Sequence, residues 1–235
     1  MKPSRDIYVL PKMLLALSLL ALNGTAASIY SNLGNPSGAL GLGPLYGEFG
    51  DQVSAAGTDR FVTGLNIEIY SQGGFFPAGN PGVADFTARL YANDGPAGIP
   101  GSLLWQSDPV HVAYPGGLSL LAFSVPQVLV PDVFTWTLQY TNMSTPPPAL
   151  PFANTPTIGS SADFSWFKTF YPPVGWTKAG PGQGFVENLM ASVQAVPEPS
   201  VAVMLLIIAL PLALTLRNGK WKQATSQALS LAGRR

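Results

Sequence analysis

Among the residue types that could take part in catalysis or metal binding, aspartate and glutamate are the most numerous in this sequence. Ten of them lie within residues 28–196, and two carboxylates placed across a cleft are enough for glycoside hydrolysis. The chain has no cysteine and a single histidine, which excludes a thiol nucleophile, a thiolate metal site and a multi-histidine metal site. His111 has no evident partner, so a surface or hydrogen-bonded histidine explains it better than a catalytic base. We predict no catalytic residue, no metal and no cofactor.

Oxygen-bearing side chains near residue 90 are of the type that calcium prefers. Asp85, Asn93 and Asp94 could supply such ligands, but their spacing does not match an EF-hand loop. The sequence Asn93-Asp94-Gly95-Pro96 is typical of a turn. We therefore predict a turn at this point.

The densest group of aromatic side chains occupies residues 164–176. Exposed rings there would stack against sugar rings, which makes Trp166, Tyr171 and Trp176 candidate glycan-binding residues. Alternatively, alternate rings fill a core and the others cover it, because aromatic residues are common in strands and dominate core burial. The second interpretation is favoured, and the first stays open.

Alternating apolar and polar residues predict the strands that would position these side chains. Leu65, Ile67 and Ile69 share one face of a candidate strand, and Thr135 and Thr137 lie opposite the aromatic face of another. The clear candidates are residues 61–70, 86–91, 118–125, 133–141, 163–171 and 185–195. Segments rich in glycine and proline separate them. The pattern predicts an all-β antiparallel β-sandwich or jelly-roll ectodomain over residues 58–195, preceded by a Gly-rich lead-in over residues 28–57.

The charge of this predicted ectodomain limits its partners. Residues 28–196 carry ten acidic and four basic side chains, a net charge of −6, although the whole chain is neutral. Nucleic acid is excluded as a partner, because phosphate binding needs a basic stripe.

The N-terminus has the three-part layout of a secretory signal peptide. Basic residues precede the apolar residues 13–22, and small residues follow. The apolar run is too short to cross a membrane as a helix. We predict a signal peptide over residues 1–27, cleaved between Ala27 and Ser28.

A second apolar run, residues 201–216, predicts a single transmembrane helix near the C-terminus. Its 16 residues reach about 24 Å along a helix, and the flanking Arg217, Lys220 and Lys222 can snorkel to the interface and stop transfer. These positive charges place the C-terminus in the cytoplasm and the acidic domain outside it.

The motif Pro197-Glu198-Pro199 precedes this span directly. Motif, span and basic cluster together, over residues 196–222, resemble the sorting signal of PEP-CTERM proteins of Gram-negative bacteria. Residues 89–95 and 100–105, with residues 130–131 and 134–137, are similar to β-sandwich ectodomains that precede such signals. The resemblance implies processing near the motif by the membrane enzyme exosortase. Family tails usually end soon after the basic cluster, whereas residues 223–235 continue here as a cytoplasmic tail extension.

The expected function follows from this organisation. The favoured one is a non-enzymatic exported surface or extracellular-matrix protein, sorted by exosortase and associated with exopolysaccharide in a biofilm. The alternative is a secreted polysaccharide-active enzyme or glycan-binding module that uses acidic and aromatic residues of the sandwich. The expected partners are signal peptidase, exosortase and extracellular polysaccharide. The chain would cross the inner membrane as a single-pass intermediate and then reach the cell surface or the medium.

Overall fold

The alternating segments of the sequence form antiparallel strands. The computed structural model describes residues 25–34, 36–41, 46–71, 82–143, 148–153, 155–169, 175–179 and 188–198. The strands are β1 (Ala27–Ser31), β2 (Gly38–Gly41), β3 (Tyr46–Ser54), β4 (Phe61–Ser71), β5 (Gly82–Ala92), β6 (Leu103–Gln106), β7 (Val110–Tyr114), β8 (Gly117–Leu129), β9 (Val133–Thr141), β10 (Pro148–Ala153), β11 (Ser160–Thr169), β12 (Trp176–Ala179), β13 (Asn188–Leu189) and β14 (Ala191–Val196). A single 3-10 turn, Pro96–Gly98, completes the described secondary structure. The prediction of an all-β antiparallel domain is confirmed for the described residues.

The strands form two antiparallel sheets of seven strands each. In sheet A, β8 pairs along one edge of β4, and β14 followed by β10 pairs along the other edge. The remaining strands of sheet A extend from these, with β1 on β14 and both β2 and β13 on β10. Sheet B has the order β12, β11, β3, β9, β5, β6, and β7 follows β6 along the same edge of β5.

One hydrophobic core joins the two sheets. Leu65, Ile67 and Ile69 of β4 are buried from the sheet A side, as their alternation predicts. From the sheet B side, Phe134 and Trp136 of β9 enter the same core. Residues Thr25–Pro197 form one compact unit.

The predicted Gly-rich lead-in contributes strands to both sheets, so the sequence-based boundary at residue 58 does not match the fold. Residues 28–57 contain nearly all of β1 together with β2 and β3, and β3 pairs with both β9 and β11. The glycines here reflect close packing as well as turns. A Cβ on Gly50 would collide with the carbonyl oxygen of Trp136 and approach Thr137 Cα to 2.6 Å, so only glycine fits.

The last predicted strand, residues 185–195, is divided in the structure. Met190 separates β13 from β14, and its N–H donates to Pro151 O while its carbonyl accepts from Glu68 N. The chain thus changes partner from β10 to β4 at this residue. An apolar run cannot reveal such a change, because both halves stay buried.

No helix of the described residues is long and apolar enough to cross a membrane. The predicted span 201–216, the basic cluster Arg217, Lys220 and Lys222, the tail 223–235 and residues 1–24 of the signal peptide lie outside the described residues.

Candidate functional site

The face of sheet B that points away from the core carries the main concentration of polar and aromatic side chains. We call it the outer face and define it by the positions that alternate with the core residues. One row of paired positions crosses it from β12 to β6: Lys178, Trp166, Gly50, Thr137, Arg89 and Gln106. A second runs from Trp176 through Lys168 to Glu48.

This outer face is strongly concave. The rings of Tyr91 on β5 and Trp176 on β12 meet edge to face with centroids 5.5 Å apart. Three strands separate β5 from β12, so a flat sheet would place the two strands about 19 Å apart. Sheet B must therefore curl to bring the two rings together.

The curl buries polar residues that alternation predicts to be exposed. Thr135 and Thr137 are both 0% exposed, and Glu48 is 5% exposed. The pattern of β9 correctly assigns the two faces, but the second face is buried as well, because the sheet closes over it. The concave face thus holds a polar layer instead of a solvated surface.

Glu48 and Arg89 form an ion pair at the floor of the concave face. Arg89 Nη1 lies 3.3 Å from Glu48 Oε2, and Thr137 Oγ1 donates to Glu48 Oε1 over 2.5 Å. Burial raises the pKa of Tyr91, and the charge of the nearby Glu48 carboxylate adds to the effect. A hydrogen bond from Thr137 and the ion pair with Arg89 thus make the Glu48 carboxylate a fixed part of the floor.

Arg89 also orients two glutamine side chains. Its Nε donates to Gln106 Oε1 over 2.6 Å, and its Nη2 donates to Gln139 Oε1 over 2.7 Å. Because a guanidinium only donates, both amide oxygens must face Arg89. The NH₂ groups of Gln106 and Gln139 are left as donors.

A pocket of about 330 Å³ opens above this floor. Its walls come from β3, β5, β6, β9 and β11, and its described lining is Gly47, Glu48, Arg89, Tyr91, Leu103, Gln106, Gln139, Lys168 and Thr169. The volume is at the small end of the range for small-molecule sites. Glu48 is the one carboxylate in that described lining.

Lysines and aromatic rings form the β12 side of the concave face. Lys168 Nζ lies 5.3 Å from the ring centroid of Trp176. Lys178 Nζ lies 4.1 Å from the centroid of Phe164 and 5.0 Å from that of Trp166. The rings hold the ammonium groups by cation-π attraction.

The three predicted glycan-binding residues differ in their placement. Trp166 is 1% exposed beneath Phe164 and Lys178, so its ring supports the concave face and offers no surface to a sugar. Trp176 is half-buried beside the pocket residue Lys168. Tyr171 lies outside the described residues.

His111 is at the edge of sheet B, next to Asp85. Its Nδ1 lies 2.6 Å from Asp85 Oδ1, and Asn142 Nδ2 donates to Asp85 Oδ2 over 2.6 Å. The hydrogen bond from Asn142, followed by the contact with His111, lowers the pKa of Asp85. The surface location expected for His111 is seen, with its side chain 67% exposed.

The oxygen ligands considered for calcium do not form one cluster. Asp94 Oδ1 and Oδ2 accept from Ser102 N and Oγ, and Asn93 Oδ1 accepts from Thr135 Oγ1. Asp85 lies toward the opposite end of β5. Within the described ranges, no group of three or more His, Asp or Glu side chains is placed to hold a metal ion. The chain turns slightly later than predicted: it bends at Asn93 and Gly95, and the hydrogen-bonded turn covers residues 95–98, where Gly98 N donates to Gly95 O.

The predicted processing sites lie at the two ends of the compact unit. Ala27 and Ser28 begin β1, where Ala27 pairs with Ala195. Pro197 and Glu198 follow β14 and are exposed, while Pro199 lies outside the described residues. The two predicted processing sites therefore flank the paired strands β1 and β14.

Sequence reasoning missed Glu48, Arg89, Gln106 and Gln139 as members of one site. One sequence feature could have marked Arg89 as a site residue: it is the only charged residue within the predicted strand 86–91. In the structure its neighbours Ala88 and Leu90 are both buried. The two glutamines lie 33 residues apart in the chain and carry no such signal. Strand order alone joins them.

No family model, curated protein or solved structure matches the chain.

Proposed function

We propose that this chain is a non-enzymatic exported protein whose β domain is displayed outside the inner membrane and processed by exosortase at Pro197-Glu198-Pro199. Residues 1–27 would direct export, residues 201–216 would hold the intermediate in the membrane, and the basic cluster would keep its C-terminus in the cytoplasm. The processed domain would then reach the cell surface or extracellular matrix.

The observation that carries this proposal is where β14 ends. Val196 pairs with Phe61 as the last residue of β14, and Pro197 and Glu198 are exposed directly after it. A proline cannot donate a ladder hydrogen bond, so Pro197 is suited to end the strand. A processing enzyme could therefore reach the motif without unfolding either sheet.

Replacing Glu198 tests the proposal. We expect Glu198→Ala to leave membrane insertion intact, because neither the span nor its flanking cations change, and to block processing. The measurement is the size and location of the product in a host with exosortase and in one without it. Asp108→Ala, which removes an exposed carboxylate in the loop before β7, is the matched control and should be processed normally.

Two results would contradict the proposal. If the unsubstituted chain stays full-length and membrane-bound in both hosts, the C-terminal segment acts only as a membrane anchor. If Glu198→Ala and the unsubstituted chain are processed equally, exosortase does not recognise Glu198.

A second function, binding of polysaccharide by the displayed domain, is favoured by the concave face of sheet B. Its pocket combines the aromatic ring of Tyr91 and the apolar Leu103 with oriented amide groups, a mixture that small-molecule sites share. A polysaccharide-active enzyme has less support, because glycoside hydrolysis needs a second carboxylate about 5–9.5 Å from the first. The described pocket lining contains Glu48 alone, and Arg89 and Thr137 hold it.

A further inference from the structure

The basic side chains of the acidic domain are concentrated on one face. Residues 28–196 contain only four basic residues, and Arg89, Lys168 and Lys178 all lie on the outer face of sheet B. The fourth, Arg60, pairs with the exposed Asp132 in a different loop. Among the described charged residues, the outer face carries Arg89, Lys168 and Lys178 against Glu48 and Asp85, a net charge of +1 on a domain whose net charge is negative.

This positive charge is only partly neutralised. Glu48 pairs with Arg89, but among the described residues neither Lys168 nor Lys178 forms an ion pair. Their described partners are aromatic rings, which leave the N–H groups of an ammonium able to donate. Lys168 also lines the pocket, so its charge is accessible to a ligand there.

The polar groups that the pocket offers are mainly donors. Gln106 and Gln139 turn their oxygens to Arg89 and keep their NH₂ groups for a ligand. The Glu48 carboxylate accepts from Thr137 and is paired with Arg89, so it is already engaged inside the domain. A ligand that complements this pocket must supply acceptors and negative charge.

The pocket walls favour a ring-shaped ligand. Tyr91 forms part of one wall and meets Trp176 edge to face, and Trp176 in turn stacks on the pocket residue Lys168. Apolar ring faces next to hydrogen-bond donors match the alternating C–H and hydroxyl surfaces of a pyranose. The volume of about 330 Å³ accommodates a ring of this size.

We propose that the concave face of sheet B binds the carboxylated sugar residues of an acidic polysaccharide, with Lys168 and the amides of Gln106 and Gln139 contacting the carboxylate and hydroxyl oxygens. This inference rests on the proposed display of the domain at the cell surface, where such polymers occur. It goes further by assigning the ligand class and the residues that select it.

The test compares a charged polymer with a neutral one. The full-length chain, held in a detergent without a sugar headgroup, is titrated against immobilised polygalacturonate, immobilised dextran and immobilised oligodeoxythymidine. We expect at least tenfold tighter binding to polygalacturonate than to dextran, weakened by added salt. Free galacturonate should compete and free glucose should not, which shows that the carboxylated ring itself is recognised.

Variants locate the binding to the pocket. Lys168→Gln should raise the Kd for polygalacturonate roughly tenfold, because it removes a charge-assisted hydrogen bond. Gln106→Ala should raise the Kd by a smaller factor. Because Gln106 is exposed, this substitution should not disturb folding, so weaker binding of the variant reports a lost contact in the pocket. Trp176→Ala should weaken binding and Trp176→Phe should largely restore it. The matched control Gln194→Glu changes the net charge by the same amount as Lys168→Gln, but on sheet A, and should bind normally.

Several outcomes overturn the proposal. Equal affinity for polygalacturonate and dextran refutes charge selection, and equal affinity for oligodeoxythymidine makes the face a general polyanion site. Unchanged binding in Lys168→Gln, or equal losses in Lys168→Gln and Gln194→Glu, refutes the location. The binding test uses the purified full-length chain, so a negative result does not bear on export or processing. Likewise, a negative result of the Glu198→Ala test does not bear on ligand binding by the pocket.

Discussion

Asp51 lies in an environment that opposes its charge. Alternation along β3 places it on the core face between Phe49 and Val53, and it is 0% exposed. Complete burial raises the pKa of Asp51 well above its usual value, and the nearby backbone N–H groups of Gln52 and Leu189 act in the opposite direction. The nearby carboxyl also raises the pKa of Tyr30, after the larger effect of burial. The folded protein therefore retains a proton on Asp51 at pH values where the unfolded chain has lost it.

This proton makes the free energy of unfolding depend on pH. Because the folded pKa is raised, the folded state binds more protons than the unfolded state above about pH 4, and stability falls as pH rises from there toward the folded pKa. Asn resembles the protonated form and does not titrate. We expect Asp51→Asn to gain stability relative to the unsubstituted protein as pH rises, by up to about 1.4 kcal/mol per pH unit within that window.

Urea denaturation between pH 4 and pH 8 measures the difference. Asp108→Asn, at an exposed position, is the control and should show no comparable trend. A constant difference between Asp51→Asn and the unsubstituted protein at every pH would mean that Asp51 is ionised in the fold.

At the scale of elements, the curvature of sheet B depends on close approach of β3 and β9. Gly50 makes this approach possible, since any Cβ there would meet the backbone of Trp136 and Thr137. Gly50 also lies between Trp166 and Thr137 in the row that crosses the outer face. A single missing side chain thus contributes to the concave shape on which the pocket depends.

Adding one methyl group at this position should disrupt the sheet. We expect Gly50→Ala to lower the free energy of unfolding by about 1–3 kcal/mol, because backbone atoms must move to accommodate Cβ. Gly175→Ala is the matched control, since Gly175 precedes β12, has no positive φ and has no atom within 4 Å of an added Cβ. Urea denaturation of both variants checks this, and equal stability of the two would show that β3 and β9 can separate without loss.

At the scale of the whole molecule, the first strand limits where a signal peptide can end. Ile29 and Tyr30 of β1 are 2% and 0% exposed and pack into the shared core. Their removal would leave a cavity and cost several kcal/mol, by analogy with large-to-small core substitutions. If a signal peptide is cleaved, the folded domain must therefore keep its chain from at least Ile29 onward.

Export should leave Ser28 as the new N-terminus. Cleavage after Ala27 removes one terminal pair, Ala27 with Ala195, and preserves the core contacts of β1. N-terminal sequencing of the exported protein is the measurement. Met1 at the N-terminus would rule out a cleaved signal peptide, and a start beyond Tyr30 would contradict the placement of β1 in the core.

The sequence by itself determined the all-β class of the fold and the positions of about half of the described strands, because burial of one face imposes a period of two that is local. β4 and β9 match their predicted segments closely. The sorting motif, the signal peptide and the span are also local patterns, and they remain predictions.

Only the tertiary structure decided the candidate site. Glu48, Arg89 and Gln139 come from three strands far apart in the chain, and strand order brings them together. The burial of Thr135 and Thr137 was equally hidden, because alternation separates two faces but cannot show that the sheet curls over the polar one. Curvature arises from many contacts between distant strands, such as the one between Tyr91 and Trp176, and no short segment encodes it.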